Sequence, residues 1–275
     1  MVIFSELASI LLDVSDDPSR IGSDEASEME PGMENLTRKQ REIKEREDRI
    51  LGLARTMLAE GGYLGLSMDA IAEQLEYSKG TIYNHFPCKE EIIISLAVET
   101  MDRRLGMFQR AAEFVGCSRE RISAIGVAAE LFVRLHPQHF FVEQIIRSAS
   151  IWEKTTERRR SLMQSCEHRC MGIVSGIIRD GIAQGDLTLP EETVPEDVAF
   201  GLWSQCFGAY SIIATSDSLP QLGISDPFVA VRRNISTMLD GYGWQKLSSD
   251  CDYQQLFERI SAEVFADEYQ TLQSV

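Results

Sequence analysis

Positive charge is scarce in this chain. Its 275 residues hold 27 Lys and Arg against 43 Asp and Glu, a formal net charge of −16. That balance argues against a protein that coats nucleic acid without selectivity. Histidine is rarer, with only His85, His136, His139 and His168, and no His-Glu metal helix is formed from them. A Gly-rich phosphate loop and a nucleophile elbow are missing too. Nothing therefore points to an enzyme, and no cofactor is expected. No run of about eighteen apolar residues occurs, so no membrane-spanning helix and no membrane partner are expected. The opening MVIFSELASILLDV lacks a basic start and carries Glu6 and Asp13, unlike a secretory signal. What remains is a chain that is 44% hydrophobic, enough for a real core. Its six cysteines, at 88, 117, 166, 170, 206 and 251, are scattered through helical patterns. They read as reduced thiols of a cytoplasmic protein rather than a disulfide framework.

The charge is uneven. Residues 1–36 carry nine acidic residues and one Arg, and residues 13–36 are rich in Asp, Glu, Ser, Pro and Gly, so an acidic, disordered extension is expected. Val2, Ile3, Phe4, Leu7, Ile10 and Leu11 fit one face of a short helix, although an unstructured extension is favoured. Met33 is an alternative start of translation. Arg38, Lys39, Arg41, Lys44, Arg46 and Arg49 follow at once. They suit phosphate neutralisation. Glu42, Glu45, Glu47 and Asp48 lie between them, which suits a salt-bridged solvated face equally well. The first helix should run from Thr37 to about Glu60, with Ile43, Ile50, Leu51, Ala54, Met57 and Leu58 as its apolar stripe, until Gly61 and Gly62 stop it.

Residues 67–91, SMDAIAEQLEYSKGTIYNHFPCKEE, are the most informative stretch. Ser67 can cap a helix whose apolar face is Met68, Ile71, Ala72 and Leu75. Ser78 caps a second, shorter helix with Ile82 and Phe86 inside. Pro87 ends it, because proline lacks an N–H and disfavours helix at the residue before it. Two such short helices do not fold alone; together they can present one of the pair to a groove. The remaining face of the second helix, Lys79, Gly80, Thr81, Tyr83, Asn84 and His85, holds small or hydrogen-bonding residues and no acid. Thr81 and Tyr83 suit the DNA backbone, and Lys79, Asn84 and His85 suit base edges in a major groove. A solvated helical hairpin is the plainer alternative.

The string AEQLEYSKGTIYNHFPCKEEII resembles the DNA-binding segment of the TetR family of bacterial repressors. Ile71, Ala72, Ser78, Lys79, Gly80, Thr81, Tyr83, His85, Phe86, Lys89 and Glu90 carry the likeness, which covers residues 42–97. Glu76 stands where the family often has a turn glycine, and Cys88 where a Ser or Asn cap is usual. The resemblance implies an all-α chain: an N-terminal helix-turn-helix DNA-binding domain, then a helical ligand-binding and dimerisation domain. The expected boundaries are 1–36 extension, 37–87 helix-turn-helix, 88–245 ligand-binding and dimerisation, and 246–275 a helical C-terminal extension. It also implies a double-stranded DNA operator, a small-molecule ligand that releases a repressor, and a homodimer. Candidate DNA contacts are Ser67, Ser78, Lys79, Gly80, Thr81, Tyr83, Asn84, His85 and Lys89.

Beyond residue 87 a helix is expected from Cys88 to about Phe114, with Glu90 and Glu91 in its first turn. Breaks at His136-Pro137, Gly185-Asp186, Leu189-Pro190, Pro195 and Leu219-Pro220 divide the rest into amphipathic segments. The segment AFGLWSQCFGAYSII, residues 199–213, and FVAVRRNISTML after Pro227 are apolar around much of their circumference. By resemblance they form the dimer interface. Phe140, Phe141, Ile145, Trp152, Met171 and Trp203 are the candidate ligand-binding residues, with Phe132 and Met163 beside them and His139, Glu143 and Gln144 as polar contacts; such a stripe also suits plain core. A redox- or metal-responsive regulator using Cys88 or the i, i+4 pair Cys166/Cys170 is the alternative.

Overall fold

The computed structural model describes residues 37–147 and 149–274. The expectations for residues 1–36, including the N-terminal apolar face and the start at Met33, lie outside them. Among the described residues there are twelve α-helices, one 3-10 turn and no strand, so the chain is all-α. The helices are α1 Arg38–Gly65, α2 Met68–Gln74, α3 Lys79–His85, α4 Lys89–Ala112, α5 Ser118–Leu135, α6 Pro137–Ile145, α7 Ala149–Glu153, α8 Glu157–Gln184, α9 Pro195–Thr215, α10 Pro227–Gly241, α11 Tyr253–Val264 and α12 Ala266–Gln273.

The chain divides into two units between Glu45 and Arg46. In the first, Thr37 and Gln40 cap the start of α1 reciprocally, and Arg38 pairs with Glu42 at 2.9 Å. That pair is exposed and contributes little. The second unit holds everything that follows.

Local chemistry sets the boundaries. Gly62 breaks α1 with φ 61° and ψ −164°, a conformation open mainly to glycine. Ser67 Oγ accepts from Ala70 N–H at the start of α2. Past the end of α2, the N–H of Tyr77 bonds to Ala72 O and that of Glu76 to Glu73 O. This pairing needs a left-handed residue in between. Glu76 supplies it at φ 56°, so the turn forms with a glutamate where the family often has glycine. A strained position of this kind costs on the order of 1–3 kcal/mol.

α4 is the organiser. It packs against α5, α6 and α8. One apolar cluster joins Ile50, Ile71, Ile82 and Phe86 to Ile92, Leu96, Ile146 and Met163. The core beneath the helix-turn-helix therefore does not close at Pro87. A second cluster runs from Met107 through α5 and α9 to Trp244 and Ile260. By length and composition alone α9 would be long and apolar enough to cross a membrane, although Ser204 and Gln205 interrupt its apolar residues.

Candidate nucleic-acid interface

α3 begins at Ser78, whose Oγ accepts from Thr81 N–H at 3.1 Å and lies 2.8 Å from Thr81 Oγ1. Ile82 and Phe86 are sealed in the core. Helical periodicity then turns the opposite side outward: Ser78, Lys79, Gly80, Tyr83 and Asn84 are exposed and Thr81 is half-buried. Lys79 Nζ reaches Asp69 Oδ2 at 2.6 Å, tying α3 to α2. That hydrogen bond holds the ammonium above its ordinary pKa.

His85 does not share this face. It lies three residues after Ile82, so it falls on the inner side. Its side chain is only 9% exposed, with Nδ1 3.3 Å from Glu47 Oε1. The placement of His85 at a base edge is thereby corrected: His85 ties α3 to α1. Ser67 is exposed but occupied as a cap. Lys89 is half-buried, its Nζ 3.9 Å from the Tyr63 ring centre and donating to Tyr63 O. Two of the basic residues expected near phosphates, Arg46 and Arg49, gather on Tyr77, which the sequence did not single out. Arg49 donates to Tyr77 Oη at 2.8 Å, and the Arg46 and Arg49 guanidiniums lie 5.9 and 5.4 Å from the Tyr77 ring. This places two cations beside the turn. No local pattern links residues 28 positions apart.

The start of α4 is held by buried carboxylates. Glu90 accepts from Tyr63 Oη at 2.7 Å and from Lys154 Nζ at 3.1 Å. Burial pushes its pKa up, but the Tyr63 hydroxyl, a backbone N–H and Lys154 override this and hold it at about 2. Glu91 accepts from Thr156 N–H and pairs with Arg159 Nε at 2.5 Å. Arg159 also donates to Ser95 and lies 5.1 Å from the Phe86 ring. The first turn of α8 thus grips the residue that ends α3.

The six candidate ligand residues do not converge on one cavity. Phe140 packs edge-on to Phe207 and Tyr210, and Met171 joins the same cluster. Ile145 and Trp152 pack against the other cluster. Phe141 lies beside Gly62 at the break in α1. Trp203 sits on α9 between Phe200 and Phe207, under Arg147. Of the polar candidates, His139 lies 2.9 Å from Thr100 Oγ1 and Glu143 pairs with Arg104 at 2.7 Å. Burial pushes Glu143 up and His139 down, the latter to about 4. A hollow of about 620 Å³ opens elsewhere, between α5, α10 and α11, and none of the six lines it.

The thiols give the redox and metal alternative no support. Cys88 precedes α4 without capping it, and its Sγ donates to Lys154 O at 3.6 Å. Burial raises Cys88, and raises Cys166 to about 11 and Cys170 to about 12. A reactive thiolate needs the opposite shift. No group of three or more potential metal ligands occurs among the described residues.

Comparison with known proteins agrees with this geometry. Residues 50–96 match the family model of bacterial regulatory proteins of the tetR family. A fatty acid metabolism regulator protein of Bacillus subtilis is 26% identical over 186 residues, 64% of this chain and 92% of that protein. The transcriptional repressor KstR of Mycolicibacterium smegmatis is 31% identical over 80 residues, 29% of this chain and 39% of its own length. The fatty acid degradation regulator FadR of Bacillus halodurans shares the fold, with a TM-score of 0.55 at 17% identity, over 71% of this chain and 95% of that one.

Proposed function

Because this chain is a DNA-binding transcriptional regulator of the TetR family, we propose that it is a homodimeric repressor that a small apolar ligand releases from its operator. α3 is its recognition helix. The observation that carries this reading is the division of that helix: Ile82 and Phe86 are locked in the core while Lys79, Gly80, Tyr83 and Asn84 face out. Such a helix can enter a major groove, with Thr81, Tyr83 and the Arg46–Arg49–Tyr77 corner on phosphates.

α9 supports the dimer. Phe200 and Ile212 on this helix are 58% and 57% exposed. A helix so apolar needs cover. A second copy supplies it, and paired recognition helices then meet two half-sites about one DNA turn apart. The name of the similar Bacillus subtilis protein, a fatty acid metabolism regulator, supports a fatty acid or a derivative of one as ligand. Such a ligand would act by binding better to a conformation whose two α3 helices no longer match the operator.

A gel-shift titration with the DNA upstream of the chain's own coding sequence tests this. Lys79→Ala and Tyr83→Ala should each weaken binding about tenfold, as expected for loss of about 1–3 kcal/mol at a good contact, with unchanged thermal melting. Normal binding by both variants would remove α3 from the interface.

A further inference from the structure

The hollow between α5, α10 and α11 has a construction of its own. α11 packs on α5 and α10 packs on α9. α10 is held to α5 by arginines: Arg232 reaches Glu130 at 2.6 Å at one end, and Arg119 reaches Ser236 O at 3.2 Å and Asp240 at 2.6 Å at the other. Beside these two supports Val127, Val229, Ile235 and Phe257 line an apolar trough. Its volume of about 620 Å³ lies within the usual range of ligand sites, roughly 300–1,000 Å³.

Gly126 lies in its floor, in the middle of α5. A Cβ there would meet nothing within 4 Å, so no packing within the chain calls for glycine. Glycine in a helix interior costs about 1 kcal/mol relative to Ala, and here it leaves the trough deeper. The α10 side carries excess positive charge. Glu130, almost fully buried, accepts from both Arg134 and Arg232. Arg233, exposed at the rim, forms no ion pair among the described residues. Arg232 and Arg233 thus bring two guanidiniums to the trough, and Glu130 meets the first of them. On the facing wall Asp252 is occupied in capping α11, accepting from the N–H groups of Gln254 and Gln255.

From this geometry we infer that the trough between α5, α10 and α11 is the ligand site of this regulator, and that it takes an elongated apolar chain with one anionic end. This rests on the ligand-responsive reading above. The chain lies over Gly126 against Val127, Ile235 and Phe257, and the anionic end meets Arg233.

Calorimetric titration of the full-length protein with dodecanoate, and with dodecan-1-ol as the uncharged counterpart, tests the site. Gly126→Leu fills the floor and should weaken dodecanoate at least tenfold without lowering the melting temperature. Arg233→Glu, at an exposed position, should weaken dodecanoate at least tenfold and leave dodecan-1-ol unchanged. If dodecanoate binds the wild type and both variants equally well, or fails to bind the wild type, the site assignment is overturned. Gel shifts on the same proteins keep the two readings apart. Dodecanoate that binds in the trough without releasing DNA would overturn ligand release and leave the site standing. Release that survives both substitutions would do the reverse.

Discussion

Replacing Arg159 should uncouple the helix-turn-helix from the helices behind it. Among the described residues Arg159 is the sole charged partner of Glu91, whose side chain is 3% exposed. The same guanidinium touches Ser95 and lies over Phe86. Removing one member of a buried pair costs about 3–5 kcal/mol, because the remaining charge is stranded. Arg159 is itself a quarter exposed, and Glu91 keeps the Thr156 N–H. The lower end, about 3 kcal/mol, is therefore expected for Arg159→Ala. For a body of this size, that lowers the melting temperature by about 6–12 °C. Glu91→Leu with Arg159→Leu removes both charges and should recover most of the loss. Thermal melting by circular dichroism gives the stability. Operator titration well below the melting point gives the coupling, with an expected loss of several-fold for Arg159→Ala, because Phe86 ends the recognition helix. A melting point within 2 °C of wild type would refute the reasoning about the buried pair. A large stability loss with unchanged operator affinity would show that Arg159 supports the fold but not the position of α3.

Two further outcomes follow from the same structure. His139 is held at about 4 against an ordinary 6.5, so the unfolded chain binds the proton first on acidification; stability should fall from pH 6.5 down to about 4 by up to roughly 3 kcal/mol and then level off, and His139→Gln should flatten that slope in melting curves taken across the range. Phe200→Glu with Ile212→Glu, both on the exposed face of α9, should convert a dimer to a monomer in sedimentation and abolish tight operator binding; a dimer that survives would place its interface elsewhere.

Much of the helix-turn-helix could be read in the sequence because its determinants are local. Ser67, Ser78 and Pro87 act on their own neighbours, and the apolar spacing of Met68, Ile71 and Ala72 sets the buried face. His85 went wrong for an equally local reason. Residue type suggested a base contact, but its place three residues beyond Ile82 turns it toward Glu47. The ligand residues failed differently. An aromatic stripe tells where a helix is buried, not whether space is left over. Phe140 and Met171 lie in one cluster and Ile145 and Trp152 in the other, a division set by how α4, α6 and α8 cross. The trough depends on α11, which belongs to a segment that the sequence marks only as a helical extension.

The buried carboxylates tie the helix-turn-helix to the helices behind it. Glu90 and Glu91 open α4, immediately after the proline that closes α3, and both are desolvated. Burying two adjacent carboxylates is unfavourable unless each is met by donors in good geometry. Tyr63 supplies one from the segment before α2, Lys154 and Thr156 supply others from the segment between α7 and α8, and Arg159 supplies the last from the first turn of α8. The arrangement tolerates little intermediate displacement, since a shift of one or two ångströms strands a charge. Any change in the packing of α8 therefore meets a contact that is either made or broken, and α3 lies beside that contact through Phe86.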